Sequence, residues 1–594
     1  MAASLRDLRF ALHQVLDYPG HYARLIGDDA PGRELIDAII DEAYRFCEGE
    51  LEPINRSGDE EGCALVDGVV TTPTGFREAY AKYIEGGWAG MSGTPEYGGQ
   101  GLPDSVSLIL ENLMSAANTA WTMYPGLSRG VIEALEHHGS PEQKAAFLPK
   151  LLSGEWTGTM CLTEPHAGSD VGLARTKAEA VVGGADGAYA ITGTKIFISA
   201  GEHDLSDNII HLVLARTPDA PAGTRGISMF VVPKFDLDGQ RNGVVCGAIE
   251  EKMGIHGNAT CVLHFEDARG YLVGELNHGM RNMFTMMNAA RLVVGLQGVC
   301  QAETGLQMSL AYAKERLQMR ALSGPKAPGE EADPIIVHPD IRRLLLTQRA
   351  IVDGGRLLVY LAGQITDEAG RLDGQAGADA KDELDFLTPI VKGVLTELGY
   401  ESVNHAMQVF GGHGFIRETG MEQLVRDTRI TMIYEGTTAI QGLDLLGRKI
   451  LQTQGPGFIL FVSRMEKLGG ELEQDPSLAE LGEALKARAA EWRALVGTLG
   501  TRAMADLDEV GAAAVDFLFY SGYLTLAYCW GRIAQAAARA GGEPDADADY
   551  LSGKLATARF YFARLLPRAT AHKSAIEAGA ETLMQPSAES LGPF

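Results

Sequence analysis

Ala190-Ile191-Thr192-Gly193-Thr194-Lys195-Ile196-Phe197-Ile198 is the stretch that shows this chain is not helical throughout. Its β-branched and aromatic residues follow one another without helical spacing, which favours an extended backbone. Ile209-Ile210-His211-Leu212-Val213-Leu214-Ala215, then Ile227 to Val232 and Cys261 to Phe265, have the same character, with Gly, Asn, Asp and Pro between them. From about Gly158 to Gly274 the pattern predicts an antiparallel sheet.

Outward from that block the periodicity is helical. Upstream, Ile36, Ile39, Ile40, Ala43 and Phe46 share one helix face. Ser105 to Ala117 and Gly130 to His137 behave alike, and Ser140-Pro141-Glu142-Gln143 is a helix-start signal. Downstream, long helical patterns run from Met280 to about Lys449. Ser323 to Pro334 and Gly370 to Glu383 interrupt them, both rich in Gly, Pro, Ala and acidic residues and expected as solvated loops. Gly455-Pro456-Gly457 marks a boundary before a last helical segment, which carries an acidic loop at Gly541 to Asp549. The reading is an α+β chain, mainly α. It has an N-terminal helical domain over 1–157, a middle antiparallel β-domain over 158–278, a helical bundle over 279–452 and a helical extension over 453–594.

The chain has 594 residues, a net charge of −27 and a hydrophobic fraction of 45%. Such a surface repels nucleic acid and anionic membranes at long range. Residues 451–594 hold 13 Lys and Arg against 18 Asp and Glu, which argues against DNA binding there. Seven scattered cysteines with no CxxC spacing point to buried reduced thiols in a cytoplasmic protein rather than a disulfide framework or structural zinc. Leu5 to Leu16 is broken by Arg6, Asp7 and Arg9 and so lacks the apolar core of a signal peptide. Phe517 to Gly531 is too short to span a bilayer and is expected as a buried helix. No phosphate-binding loop, G-x-G-x-x-G turn or H-E-x-x-H helix occurs, and His137-His138 is expected as a helix end rather than a metal site. No metal is expected.

Three motifs carry chemistry. Met160-Cys161-Leu162-Thr163-Glu164-Pro165-His166-Ala167-Gly168-Ser169-Asp170 runs from a strand into a turn whose N–H groups and hydroxyls can bind the polar edge of a planar heterocycle. Gln408-Val409-Phe410-Gly411-Gly412-His413-Gly414-Phe415 has the glycines needed for close backbone approach to a ligand. Tyr434-Glu435-Gly436-Thr437 sets a carboxylate beside the apolar run Ile430 to Tyr434. Burial there would raise its pKa toward neutrality and suit it to removing a proton from carbon.

In this order the motifs resemble the acyl-CoA dehydrogenase family, whose T-E-P-x-A-G-S-D, Q-x-x-G-G-x-G and Y-E-G-T signatures match Thr163–Asp170, Gln408–Gly414 and Tyr434–Thr437. The resemblance covers about residues 35 to 450 and implies the same succession of helical, β and four-helix-bundle domains. It implies FAD between β-domain and bundle, with Met160, Leu162, Thr163, Gly168 and Ser169 lining the flavin. Phe197 and Ser199 stand where the family has Trp and Thr. Arg316 matches the arginine that reaches a partner's FAD pyrophosphate, Gln408, Gly411 and Gly412 match the loop at the adenosine end, and Thr437 is implied as a further FAD contact. Ser169, Asn288, Arg291 and Gly436 fall on the substrate side; Asn288 replaces the Asp of many members. Glu435 is the implied base, because Ala290, at the other position used in some branches, cannot ionise.

The implied reaction is α,β-dehydrogenation of an acyl-CoA to a trans-2-enoyl-CoA. The implied assembly is a homodimer or dimer of dimers, with an electron-transfer flavoprotein as acceptor. The C-terminal extension and Arg316-Leu317-Gln318-Met319-Arg320, followed by a loop and His338-Pro339-Asp340, resemble a large-subunit branch. That branch includes 3-methylmercaptopropionyl-CoA dehydrogenases of dimethylsulfoniopropionate breakdown. An oxygen-using acyl-CoA oxidase, a DNA-associated flavoprotein and an inactive scaffold are the alternatives; retained Glu435 counts against the last.

Overall fold

A computed structural model describes residues 4–181, 187–544 and 546–592. Its contacts divide the chain into two units, Ile39–Val293 and Ala2–Ala38 with Val294–Phe594, and each is considered by itself.

The first unit combines helices with a sheet. The expected helices lie at Arg33–Phe46, Asp104–Ala117, Thr119–His138 and Pro141–Leu152. Ser140 begins the last of these with a reciprocal cap: its hydroxyl accepts from Gln143 N at 3.2 Å, and the Gln143 side chain accepts from Ser140 N at 3.0 Å. The stretch expected to be wholly helical also holds a hairpin, β1 (Ala64–Val66) with β2 (Val69–Thr71). Its turn is Asp67-Gly68, with φ of 51° and 78°. Two successive positive φ angles give a two-residue turn whose twist matches the strands, and Asp-Gly is its local signal.

The larger sheet contains β3 (Trp156–Cys161), β4 (Lys177–Ala180), β5 (Ala188–Ser199), β6 (Asn208–Ala215), β7 (Ser228–Pro233), β8 (Val244–Ile249) and β9 (Thr260–Leu272). The strand order is β3-β6-β7-β9-β5-β4, and β8 also pairs with β9. The pairs are antiparallel as expected except β3 with β6, which run parallel. Those two strands are joined through β4 and β5 rather than by a hairpin, and a parallel pair requires such a crossover. Every residue of β6 is buried, as for a strand covered on both faces. Gly158 of β3 lets the Thr119–His138 helix lie close; a Cβ there would meet Val131 at 2.6 Å. Val131, Leu135, Leu148, Ile210, Leu212, Met229 and Met283 fill this side of the sheet.

The second unit is helical apart from short connections. Pro339–Arg371 and Gly374–Phe410 form a long hairpin. Helix formation from Gly374 corrects the expectation of a solvated loop to Glu383. Ala376, Ala378 and Ala380 favour a helix, and Ala380 and Glu383 face the interior. The extension packs into this same unit. Its helix Asp508–Ala540 contacts both hairpin helices as well as the later helices of the extension. Trp530 is buried and donates to the Ala350 carbonyl at 2.9 Å. Phe517–Gly531 is thus the buried helix segment expected. Among the described residues, Gly279–Glu315 and Asp508–Ala540 are long and apolar enough to cross a membrane by length and composition, but most of each apolar window is buried by protein.

Candidate active site

In the first unit, β3 carries Met160 to the start of a tight turn. Glu164 and Ala167 exchange two backbone hydrogen bonds of 3.0 Å around Pro165-His166. Gly168, Ser169 and Asp170 are left exposed, while Met160, Leu162 and Thr163 are half-buried. The turn is anchored by Glu164, which points inward. It accepts from Arg175 N at 2.7 Å, Thr176 N at 3.0 Å, the Thr176 hydroxyl at 2.6 Å and the Lys195 ammonium at 2.9 Å. Burial opposes charge on this carboxyl, but Lys195, Thr176 and the Arg175 N–H outweigh it and hold the pKa down to about 2. Neither Glu164 nor Lys195 was singled out from sequence; the signal was a Glu fixed ahead of Pro inside the turn motif.

Lys195 also donates to the Leu162 carbonyl at 2.9 Å, and Ile196 N donates to the Thr163 carbonyl at 2.9 Å. These bonds set the turn beside the last residues of β5. There the register slips: Lys195 faces Leu263 and Ile198 faces Cys261, so β5 carries one extra residue. A bulge of this kind re-aims side chains. Phe197 sits in it at φ 58°, with 59% of its surface exposed. A positive φ is costly for an aromatic residue, and an exposed ring gains little from burial. The fold therefore presents Phe197 outward against both local preferences, next to Leu162, Thr163 and the half-buried Ser199. This arrangement fits a planar heterocycle: a ring to stack on, hydroxyls for its polar edge, and empty space where a Gly168 Cβ would stand. Asn288 and Arg291 lie on the Gly279–Glu315 helix one turn apart, Arg291 Nη1 donating to Asn288 Oδ1 at 3.4 Å.

In the second unit, Glu435 occupies a strained turn at φ 55°, followed by Gly436 at φ 96°. It is half-buried. Tyr434 donates its hydroxyl to Gln297 Oε1, and burial followed by the charge of Glu435 pushes the Tyr434 pKa up. Lys392 donates to the Gly436 carbonyl at 2.6 Å, and Gln441 Nε2 donates to the Glu435 carbonyl at 3.1 Å. Thr437 stands at the N-cap position of the helix Thr438–Leu443 without a side-chain cap bond, and the Thr438 hydroxyl donates to Glu397 at 2.6 Å.

Arg316 and the glycine loop are neighbours in this unit. Arg316 follows the end of Gly279–Glu315, exposed, its N–H bonded to the Tyr312 carbonyl at 2.9 Å. Tyr312 stacks on Phe410 with ring centres 4.3 Å apart. Gln408, Gly411 and Gly412 are exposed beside it, and Gly411 has the positive φ (60°) for which glycine is suited.

Family models match nearly the whole chain: acyl-CoA dehydrogenase N-terminal domain over 34–155, middle domain over 159–268 and C-terminal domain over 277–451. An acetyl-CoA dehydrogenase C-terminal-like model matches 461–586. The 3-methylmercaptopropionyl-CoA dehydrogenase of Ruegeria pomeroyi is 42% identical over 98% of this chain and 99% of its own. The chain belongs to the acyl-CoA dehydrogenase family. Another acyl-CoA dehydrogenase, the broad-specificity linear acyl-CoA dehydrogenase FadE5 of Mycobacterium tuberculosis, is 36% identical over 97% of each chain. The crystal structure of an acyl-CoA dehydrogenase complexed with FAD from Bacillus anthracis superposes with a TM-score of 0.76 at 23% identity, covering 92% of this chain and 89% of that one; it shares the fold. In this acyl-CoA dehydrogenase the extension is therefore part of the family pattern of full-length relatives.

Proposed function

We propose that this protein is an FAD-dependent dehydrogenase that converts a short or medium acyl-CoA, 3-methylmercaptopropionyl-CoA among them, to its trans-2-enoyl-CoA, with Glu435 as the base. The observation that carries the reading is the Glu435 turn, a carboxylate held at positive φ by hydrogen bonds to its own carbonyl and to that of Gly436. Strain of this sort persists where the surroundings over-determine it, and it clusters at functional sites. The identity to the Ruegeria pomeroyi enzyme supports the sulfur-containing substrate.

In this reading Phe197 stacks against the flavin, while Met160, Leu162, Thr163, Gly168, Ser169 and Ser199 line its edge. Arg316, with Gln408, Gly411 and Gly412, contacts the FAD of a partner subunit in a homodimer or dimer of dimers, and Thr437 adds a contact. Bound FAD supplies the acceptor for the β-hydride. The Glu435 N–H polarises the thioester carbonyl, which makes the α-proton more acidic, and the Glu435 carboxylate removes that proton. Ser169, Asn288, Arg291 and Gly436 orient the substrate. The electrons then pass to an electron-transferring flavoprotein.

The test uses purified flavoprotein, an artificial electron acceptor and a panel of straight, branched and sulfur-containing acyl-CoAs. Glu435→Gln should keep its flavin and lose turnover by roughly 10²–10⁴-fold. Normal turnover in that variant removes the assignment. Greater kcat/KM for long straight chains than for 3-methylmercaptopropionyl-CoA removes the substrate.

A further inference from the structure

The strained turn at Glu435 needs an agent that holds it. Left to itself, a glutamate relaxes from φ 55° to negative φ, and its side chain swings with the peptide plane. Two side chains oppose this. Lys392, on the Gly374–Phe410 helix, has no exposed surface and donates to the Gly436 carbonyl at 2.6 Å. Gln441, also fully buried, reaches the Glu435 carbonyl at 3.1 Å and the Gly436 carbonyl at 3.4 Å. The carbonyls of Glu435 and of the next residue are thus both gripped. Helix contact at this point depends on Gly393: a Cβ there would meet Leu518 at 2.6 Å and Gln441 Cβ at 3.1 Å.

Two physical points give the lysine a role beyond filling space. Burying an ammonium is costly, and an apolar side chain of similar volume would fill the position without that cost. Gly436 also immediately precedes the N-cap of Thr438–Leu443, where the helix dipole disfavours a cation. A charge kept against burial and against the dipole grips the carbonyl beside the base.

We infer that Lys392 is a positioning residue for Glu435: its ammonium pins the Gly436 carbonyl and so fixes the turn from which the carboxylate reaches the α-proton. Gln441 is the second clasp. The inference rests on Glu435 being the base.

Lys392→Met keeps an unbranched apolar stem and removes the donor; Lys392→Gln keeps an uncharged donor one atom closer to the backbone. Both are purified as holoenzyme, and kcat, KM, flavin content, thermal midpoint and the kinetic isotope effect with α-deuterated acyl-CoA are measured, with Glu435→Gln alongside. Lys392→Met is expected to lose kcat by about 10²-fold, as a displaced catalytic group does, with KM within about threefold and flavin retained. The α-deuterium effect should rise because proton removal becomes more rate-limiting. Lys392→Gln should recover part of the kcat. Unchanged kcat and isotope effect in Lys392→Met, with Glu435→Gln inactive, overturn the positioning role alone. So does a loss of kcat in both Lys392 variants that merely follows loss of flavin and of thermal stability. An active Glu435→Gln overturns the base assignment itself.

Discussion

Lys195 meets Glu164 at 2.9 Å with both side chains almost wholly buried, and this pair fastens the Thr163–Asp170 turn to β5. Removing one partner of a buried pair leaves an uncompensated charge, which costs about 3–5 kcal/mol. Lys195→Met is therefore expected to lower the thermal midpoint markedly and to release flavin, followed by circular dichroism and flavin fluorescence. The carboxyl sits at about 2 in the folded protein against an ordinary 4.5. The folded form binds this proton less readily than the unfolded one, so the stabilisation is complete above about pH 4.5 and drains away as pH falls toward 2. Glu164→Gln should flatten the fall of the midpoint across that window; an unchanged slope would show that the pair does not contribute.

Phe197 separates ring contact from backbone strain. Phe197→Trp should retain flavin affinity, since either ring stacks. Phe197→Ala keeps the positive φ and removes the ring, and an aromatic contact of about 0.5–1.5 kcal/mol corresponds to a loss of roughly 2–13-fold in affinity. Titration of apoprotein with FAD, read by fluorescence quenching, measures it. Equal affinity in Phe197→Ala would take the ring out of the cofactor site.

Asp333 organises the insert after Arg316. It accepts from Ala321 N at 2.8 Å, Lys326 N at 2.8 Å and Ala327 N at 2.7 Å, and pairs with Arg320 at 3.2 Å. Those N–H groups, Ala321 first, hold its carboxyl below the usual range. Its backbone pairs with Gln318 and Met319, while Ile335 N donates to the Arg316 carbonyl at 2.8 Å, so the insert is ordered around the residue it follows. In Asp333→Ala, amide exchange at Ala321, Lys326 and Ala327 should quicken. Exchange at the wild-type rate would count against the clamp.

Lys554 joins the N-terminal helix to the extension. Its ammonium lies 2.7 Å from Asp7 and 2.8 Å from Asp353, all three buried. Lys554→Met should cost about 3–5 kcal/mol of stability, measured by thermal denaturation. The Asp7→Asn change should be non-additive with it, because the two residues share one network. Additive losses would show two independent contacts.

Much of this protein was determined locally and was readable from the chain alone. Helical spacing at Ile36–Phe46, β-branched runs at Ile209–Ala215 and the Ser140-Pro141 start all became the elements expected, because periodicity and capping act within a few residues. The three motifs likewise identified the family before any contact was known. The Asp67-Gly68 hairpin and the helix from Gly374 were also local, but their signals were outweighed by helical surroundings in one case and by Gly and acidic residues in the other.

What tertiary structure alone decided is which groups hold the site in shape. Lys195 finds Glu164 across 31 residues, Lys392 finds Gly436 across 44, and Lys554 finds Asp7 across 547. No window of sequence contains both partners of the last pair, and none shows that a given lysine is buried. A charge removed from water takes whichever partner the packing brings to it, and packing is settled only when the whole apolar surface has been covered.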